Sequence, residues 1–317
     1  MRYQWRVQTD RVVVALGGNA LIRPGEPGTV PEQYVRVREV AAALSALIAG
    51  NPETRIVVSH GNGPQVGRVL LRSDLCADTV PEVPLDAAVA ATQGGIGIML
   101  QRALSAALKR PVVTLLTQTL VDGADPDFMA PSKYIGRFYT QAEARKKATA
   151  LGWRIKEDKG RGWRRVVPSP VPLSIIEVPA IRALLDAEVM VIAGGGGGVP
   201  VVDIGGELVG VEAVVDKDRV SALLANLLGA ERLVILTGVD EVMVDFATPK
   251  QRSLRAVSAT TVQRFLDEGQ FPAGSMGPKI EAALSFLTAG GREVLITSPE
   301  RLPEALDGIC GTRITAG

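Results

Sequence analysis

Residues 11–18 read RVVVALGG, and after Arg11 every position up to the glycine pair is apolar. A strand with one wet face alternates apolar and polar side chains. An unbroken run of this length instead suits a strand covered on both faces, as in a parallel sheet, with Gly17-Gly18 forming the turn at its carboxyl end. The same signature recurs at 55–59 (RIVVS), 111–116 (PVVTLL), 189–193 (VMVIA), 233–237 (LVILT) and 293–297 (EVLIT). Between these runs the apolar period changes to that of a helix. Pro31 opens one helix, with Val37, Val40, Ala41, Leu44, Leu47 and Ile48 on a single stripe. A long Ala/Leu-rich helix is predicted over 85–108, and another over 216–228 with Val220, Leu223, Leu224 and Leu227 inward. A further helix starts at Pro278 and turns Ile280, Ala283, Leu284 and Leu287 to the core. Strands alternating with helices predict an α/β fold: one open, mostly parallel sheet sandwiched by helices, with ligands beyond the carboxyl ends of the strands.

The rhythm breaks between about 121 and 172. This stretch is polar, rich in Lys and Arg, and carries Pro126, Pro131, Pro168, Pro170 and Pro172. It reads as a small subdomain inserted into the sheet's connectivity, and its composition suits a mobile lid more than a core layer.

Bulk composition excludes several function classes. Lys plus Arg number 35 against 34 Asp plus Glu, so no general field draws nucleic acid or anionic lipid, and a bound anion needs a local arrangement. No apolar stretch is long enough to span a bilayer; the best, 189–202, is short and full of glycine. The first residues, MRYQWR, lack a signal-peptide apolar region, so a cytoplasmic location is expected. Cys76 and Cys310 are far apart and form no metal-spaced pair; reduced thiols are expected, with a single bridge as the alternative.

Three glycine loops follow predicted strands: Gly17-Gly18-Asn19, Gly61-Asn62-Gly63 and the five glycines at 194–198. Any one of them is explained by a tight β-to-α turn. Three at equivalent ends of one sheet point to a shared cleft in which backbone amides face anionic oxygens. The pattern G-x-x-x-x-G-K-[ST] is absent, and HGNGPQVG at 60–67 misses the dinucleotide spacing G-x-G-x-x-G by one residue. Lys217 and Lys279 each stand at the start of a predicted helix, where a cation opposes the macrodipole unless an anion is bound beside it. Asp216 and Asp218 flank Lys217, and either suits a helix cap. His60 is the only histidine, which leaves a zinc site or histidine triad without partners and favours a hydrogen bond inside its glycine loop. Met276 suits either a planar ligand or the core.

Taken in order, VVALGGNAL (13–21), HGNGPQVG (60–67), RRVVPSPVP (164–172), GGGGVPVV (195–202), VEAVVDKD (211–218) and EGQFPAGSMGPKIEAA (268–283) resemble carbamate kinase, within the wider amino-acid kinase family. The resemblance covers nearly the whole chain, 13–312. It implies one α/β/α amino-acid kinase domain over 1–317. The carbamate half would lie towards the N-terminus, the nucleotide half over about 190–317, and 121–172 would form the protruding subdomain. It implies ATP or ADP with Mg2+ as cofactors, carbamate and carbamoyl phosphate as substrates, and a homodimer. By the same resemblance Lys133 in PSKYIGRFY reaches the reacting groups, Lys217 and Lys279 contact the transferring phosphate, and Asp218 orients those lysines. Gly17, Gly18, Asn19, Gly61, Asn62 and Gly63 would line the substrate pocket, and Lys217, Thr237, Asp240, Met243, Met276 and Lys279 the nucleotide site. The chain departs from the pattern at Gly95 and Ile98, where aromatics are usual, at Met243, where tyrosine stands, and at Tyr134 and Arg137, where prolines are common. Two other readings compete: another small-carboxylate kinase of the family, and a sensor that kept the fold without catalysis. Phosphoryl transfer asks for positioned positive charge more than for covalent chemistry, and three lysines with glycine-loop amides supply it. Carbamate brings its own ionised oxygen, so no strong general base is required.

Overall fold

The computed structural model describes residues 11–18, 21–23, 25–272 and 274–317. Its centre is an eight-stranded sheet. In spatial order this runs β15 (Ala256–Ser258), β17 (Thr312–Thr315), β16 (Glu293–Thr297), β12 (Arg232–Leu236), β1 (Arg11–Leu16), β2 (Arg55–His60), β9 (Met190–Ile192) and β3 (Val112–Thr114). The six strands from β16 to β3 are parallel; β17 runs antiparallel to β16, and β15 follows β17. Register is set by side chains on both faces. Val13 pairs with Leu233 on one side and with Val57 on the other, and all three join the same core.

The apolar runs are unbroken because alternate residues feed two different cores. Val13, Ala15, Val57, Leu233, Ile235, Val294 and Ile296 pack under α5 (Val178–Asp186), α6 (Lys217–Leu228), α7 (Ala259–Asp267) and α8 (Gly277–Thr288). Val12, Val14, Leu16, Ile56, Val58, Val234 and Leu236 pack under α1 (Val30–Gly50), α3 (Leu85–Leu108) and α9 (Leu302–Leu306). The helix after β1 therefore covers one face and the helix before β12 the other. This reversal opens a crevice between the carboxyl ends of β1 and β12.

The single sheet expected from the sequence is accompanied by three smaller ones. A four-stranded sheet joins β11 (Glu207–Gly210), β10 (Val199–Ile204), β4 (Gln118–Val121) and β8 (Pro172–Ile175). β11, β4 and β8 span four residues each, and β10 and β8 carry prolines, so none shows the unbroken apolar run of the central strands. A hairpin pairs β13 (Val242–Val244) with β14 (Arg252–Leu254). Between β4 and β8 the chain leaves and returns at one point, because Val121 pairs with Pro172. The excursion contains a three-stranded sheet of β5 (Lys133–Tyr139), β7 (Trp163–Val167) and β6 (Arg154–Glu157), backed by α4 (Gln141–Leu151). Its base is more firmly seated than a polar lid requires. Ile135 and Val167 form an apolar cluster with Leu85, Ala88 and Val89 of α3 and Val66 of α2 (Gln65–Leu75). A Cβ on Gly67 of α2 would stand 3.3 Å from Gly136 Cα, so the two backbones nearly touch. Cys76 is exposed, Cys310 is buried, and both are free thiols.

Candidate active site

The loops after β1, β2 and β9 leave the same edge of the sheet. Gly17 and Gly61 extend the ladders, their amides donating to Leu236 O (2.8 Å) and Leu16 O (3.0 Å). Gly18 then faces Gly63 closely enough that a Cβ on Gly18 would meet the Gly63 Cα at 3.6 Å. Asn19 lies outside the described residues. Asn62 presents a buried amide whose Nδ2 and Oδ1 have no hydrogen-bond partner among the described residues, an arrangement that favours a polar ligand beside it.

The third glycine loop reaches the same cavity as the other two through Gly196 and is closely packed behind it. All five glycines at 194–198 are buried, and the amides of Gly194, Gly197 and Gly198 are already engaged, with Thr117 Oγ1, Gly194 O and Gly195 O. The loop packs tightly on its neighbours, and Gly196 also lines the cavity that Gly18, Gly61 and Gly63 share. A Cβ on Gly195 would lie 2.5 Å from His60 Nε2, one on Gly196 2.0 Å from Asn62 Nδ2, and one on Gly197 2.1 Å from Val215 O. Gly197 has φ +91, so alanine there is strained as well as crowded, against the carbonyl just before Asp216. Gly197→Ala is expected to destabilise the fold by at least ~2 kcal/mol, the sum of backbone strain and overpacking. A urea midpoint within error of the parent protein's would refute this.

His60 is buried, and its Nδ1 shares a hydrogen bond with Gly61 O (3.0 Å). Burial pushes its pKa down to about 4 against that hydrogen bond, and the nearby Lys217 charge adds to the lowering, so the ring is neutral at pH 7. It is a loop-anchoring residue.

Helix α6 supplies the charged centre. Asp216 is its N-cap, Oδ1 accepting the Asp218 amide (2.9 Å). Lys217 opens the helix and donates to Asp218 Oδ1, while Lys279 from the first turn of α8 donates to Asp218 Oδ2 (3.1 Å). One carboxylate, its side chain 5% exposed, thus holds two ammonium groups that are each 13% exposed. Burial lowers the Lys217 pKa; Asp218 opposes that and Lys279 reinforces it. From the protruding segment, Lys133 Nζ donates to Asp216 Oδ2 (3.1 Å). Burial alone would raise the Asp216 pKa, but the Lys133 charge and hydrogen bond hold it below the usual value. Three ammonium groups against two carboxylates leave one positive charge for an incoming anion.

Two cavities meet at this cluster. One, of about 640 Å³, is lined by Gly18, Gly61, Asn62, Gly63 and Lys217 with Arg137 and Arg164 from the protruding segment. The other, of about 630 Å³, is lined by Asp127, Asp218, Ser275 and Lys279. Lys133, Tyr134, Asp216 and Gly274 belong to both. A larger cavity, about 840 Å³, lies beside β5 and contains none of the three lysines.

The structure therefore brings together Lys133, Lys217, Asp218, Lys279, Gly18, Gly61, Asn62 and Gly63. The other nucleotide candidates stand elsewhere along the carboxyl edge. The Thr237 amide donates to Thr297 O (2.9 Å), and Asp240 accepts from Ser298 Oγ (2.6 Å). Met243 Sδ takes the Ser253 hydroxyl on the β13–β14 hairpin, and Met276 is half-buried against the core. None of these four lines either lysine cavity. Sequence reasoning gave Asp216 only a cap; its ion pair to Lys133 joins residues 83 positions apart and has no local signal. Of the departures, Tyr134 and Arg137 border the first cavity, whereas Gly95 and Ile98 lie on α3, away from both.

Comparison with known proteins identifies the family. The amino acid kinase family matches residues 10–298. The carbamate kinase of Pyrococcus horikoshii is 46% identical over 313 residues, covering 96% of this chain and 99% of that protein. The carbamate kinase-like protein YahI of Escherichia coli is also 46% identical, covering 96% and 98%. The structure of carbamate kinase from Giardia lamblia bound to AMP-PNP superposes with a TM-score of 0.91 at 40% identity, covering 97% of this chain and 98% of that one. The chain belongs to the amino acid kinase family, and within it to the carbamate kinase group.

Proposed function

We propose that this protein is a carbamate kinase, catalysing ADP + carbamoyl phosphate ⇌ ATP + carbamate. The observation that carries the reading is the Lys217–Asp218–Lys279 cluster at the junction of two cavities, one lined by glycine loops and the other by the start of α8. In the synthetic direction a carbamate oxygen attacks the γ-phosphorus, the bond from that phosphorus to the β,γ-bridging oxygen breaks, and ADP leaves. The charge on the equatorial oxygens is met by Lys217 and Lys279, both held by Asp218. Carbamate would sit on the Gly18, Asn62 and Gly63 side, and the nucleotide on the side of Lys279. Thr237, Asp240, Met243 and Met276 belong to the proposed nucleotide half over about 190–317. Residues 121–172 form the protruding subdomain.

Mg2+ is proposed to arrive with the nucleotide, held by phosphate oxygens and water, as is usual for this ion. Among the described residues no group of three or more His, Cys, Asp or Glu could cage a metal, and such a cage is not needed for that role. No described helix is long and apolar enough to cross a membrane. A cytoplasmic homodimer is proposed on the same family grounds.

The test is ATP formation from ADP and carbamoyl phosphate, run beside acetylglutamate and other small carboxylates with ATP. Activity confined to another carboxylate would transfer the assignment to a sister kinase, and binding without turnover would make the protein a sensor. Lys133 offers a second check, because it comes from the protruding segment. Lys133→Ala is expected to weaken binding of a non-hydrolysable carbamoyl phosphate analogue by ~10-fold or more while ADP binding stays within ~3-fold, as loss of one charge-assisted contact implies. Equal losses in calorimetry would place Lys133 elsewhere.

A further inference from the structure

Asp216 uses its two carboxylate oxygens for different partners. Oδ1 caps α6, which fixes the first turn carrying Lys217 and Asp218, and Oδ2 holds Lys133 of β5 at 3.1 Å. A cap alone does not need a charge, since Ser, Thr or Asn serve as well. A carboxylate at an anion site also repels the anion, so its presence calls for a compensating task. The side chain is only 16% exposed, whereas Lys133 is 44% exposed and opens β5 two residues before its apolar seat at Ile135. Both residues also belong to the wall shared by the two cavities.

We propose that Asp216 is the positioning residue for Lys133: it ties the protruding segment to the N-terminus of α6 and so sets the lysine at the junction where the reacting groups meet. This deepens the carbamate kinase reading and rests on it. Lys133 reaches the site because Asp216 holds it there, and the same carboxylate keeps Lys217 and Lys133 in fixed relation. An incoming anion then finds three ammonium groups already placed instead of ordering a flexible one.

The test uses Asp216→Asn and Asp216→Ser, which keep a cap, together with Lys133→Met and the double variant Asp216→Asn/Lys133→Met. Asp216→Asn is expected to lower kcat/KM for carbamoyl phosphate by ~10-fold to ~100-fold with the KM for ADP within ~3-fold. In the Lys133→Met background the same change should cost less than ~2-fold, the sign of two residues acting as one unit. A second arm reads hydrogen exchange of residues 133–139 and 163–167 in the ligand-free protein, which needs no turnover. Exchange should rise in Asp216→Asn and in Lys133→Met alike, and no further in the double variant. Multiplying kinetic losses, or exchange unchanged by either substitution, overturns the proposal, and it stands only if both arms give the expected result. Asp216→Ser should reproduce Asp216→Asn; if it does not, charge is not the operative property and the proposal fails. Absence of carbamoyl phosphate turnover in the parent protein would instead overturn the kinase reading, and the exchange arm would still decide the tie.

Discussion

Lys217→Ala and Lys279→Ala are each expected to lower turnover by at least ~100-fold without unfolding the protein, a loss in the range found when one donor to a transition-state oxyanion is removed. Both ammonium groups open a helix, where the aligned peptide dipoles make a cation unfavourable. Both side chains are nearly enclosed and share one acid, Asp218. A protein that needed only structural pairing would place one lysine on one aspartate. Two on one leave positive charge that is repaid only when a phosphoryl group is present. The core does not depend on either side chain: α6 is held by Val220, Leu224 and Leu228, and α8 by Ile280, Ala283 and Phe286. The variants should therefore keep the parent's circular dichroism and urea midpoint. Near-normal phosphoryl transfer in either variant would remove that lysine from the site.

The central sheet was open to sequence reasoning for a specific reason. When alternate side chains enter two different cores, as Val12, Val14 and Leu16 do against Val13 and Ala15, every position must be apolar, and the run becomes visible without any partner strand. The smaller sheets offered no such signal. In Val199–Ile204 Pro200 and Val201 are the buried positions, and all four residues of Glu207–Gly210 are exposed. The reversed edge β17 reads TRIT, with Ile314 its one apolar residue, and it follows a turn at Gly311 (φ +79), so no apolar run marks it.

The site divides along the same line. Lys217 and Lys279 drew attention because a cation at a helix start conflicts with a general rule, and such conflicts mark function. Asp216 conflicts with nothing, since an aspartate is an ordinary cap. Its second role appears only once β5 is brought across from the protruding segment. The glycines at 194–198 gave the opposite lesson. Their place at a strand end suggested a share in the anion cleft, and Gly196 does line it, while in the fold His60, Asn62 and Val215 also occupy the space a Cβ would take at Gly195, Gly196 and Gly197. Glycine density alone does not separate close approach to a ligand from close approach to the protein's own backbone.

Asp218→Asn is expected to reduce activity sharply at pH 8 and to move the alkaline limb of the pH–rate profile to lower pH. Asp218 is buried between Lys217 and Lys279 and hydrogen-bonded to both. For Lys217, burial lowers the pKa, the Asp218 charge raises it, and Lys279 lowers it again. Neutralising Asp218 removes the largest opposing contribution and leaves burial and like-charge repulsion against the smaller pull of Asp216. The pKa of Lys217 then falls further below that of a free lysine. Because the reaction needs the ammonium form, a lowered pKa means activity is lost at a lower pH as alkali is added, while the acid side retains the charged form. The loss should be ~10-fold to ~100-fold near pH 8, combining misplacement of two donors with deprotonation of one, and should shrink as pH is lowered toward 6. A pure packing defect would depress the profile equally at every pH. A variant whose profile keeps the parent's shape, merely scaled down, would show that Asp218 orients the two lysines without tuning their charge.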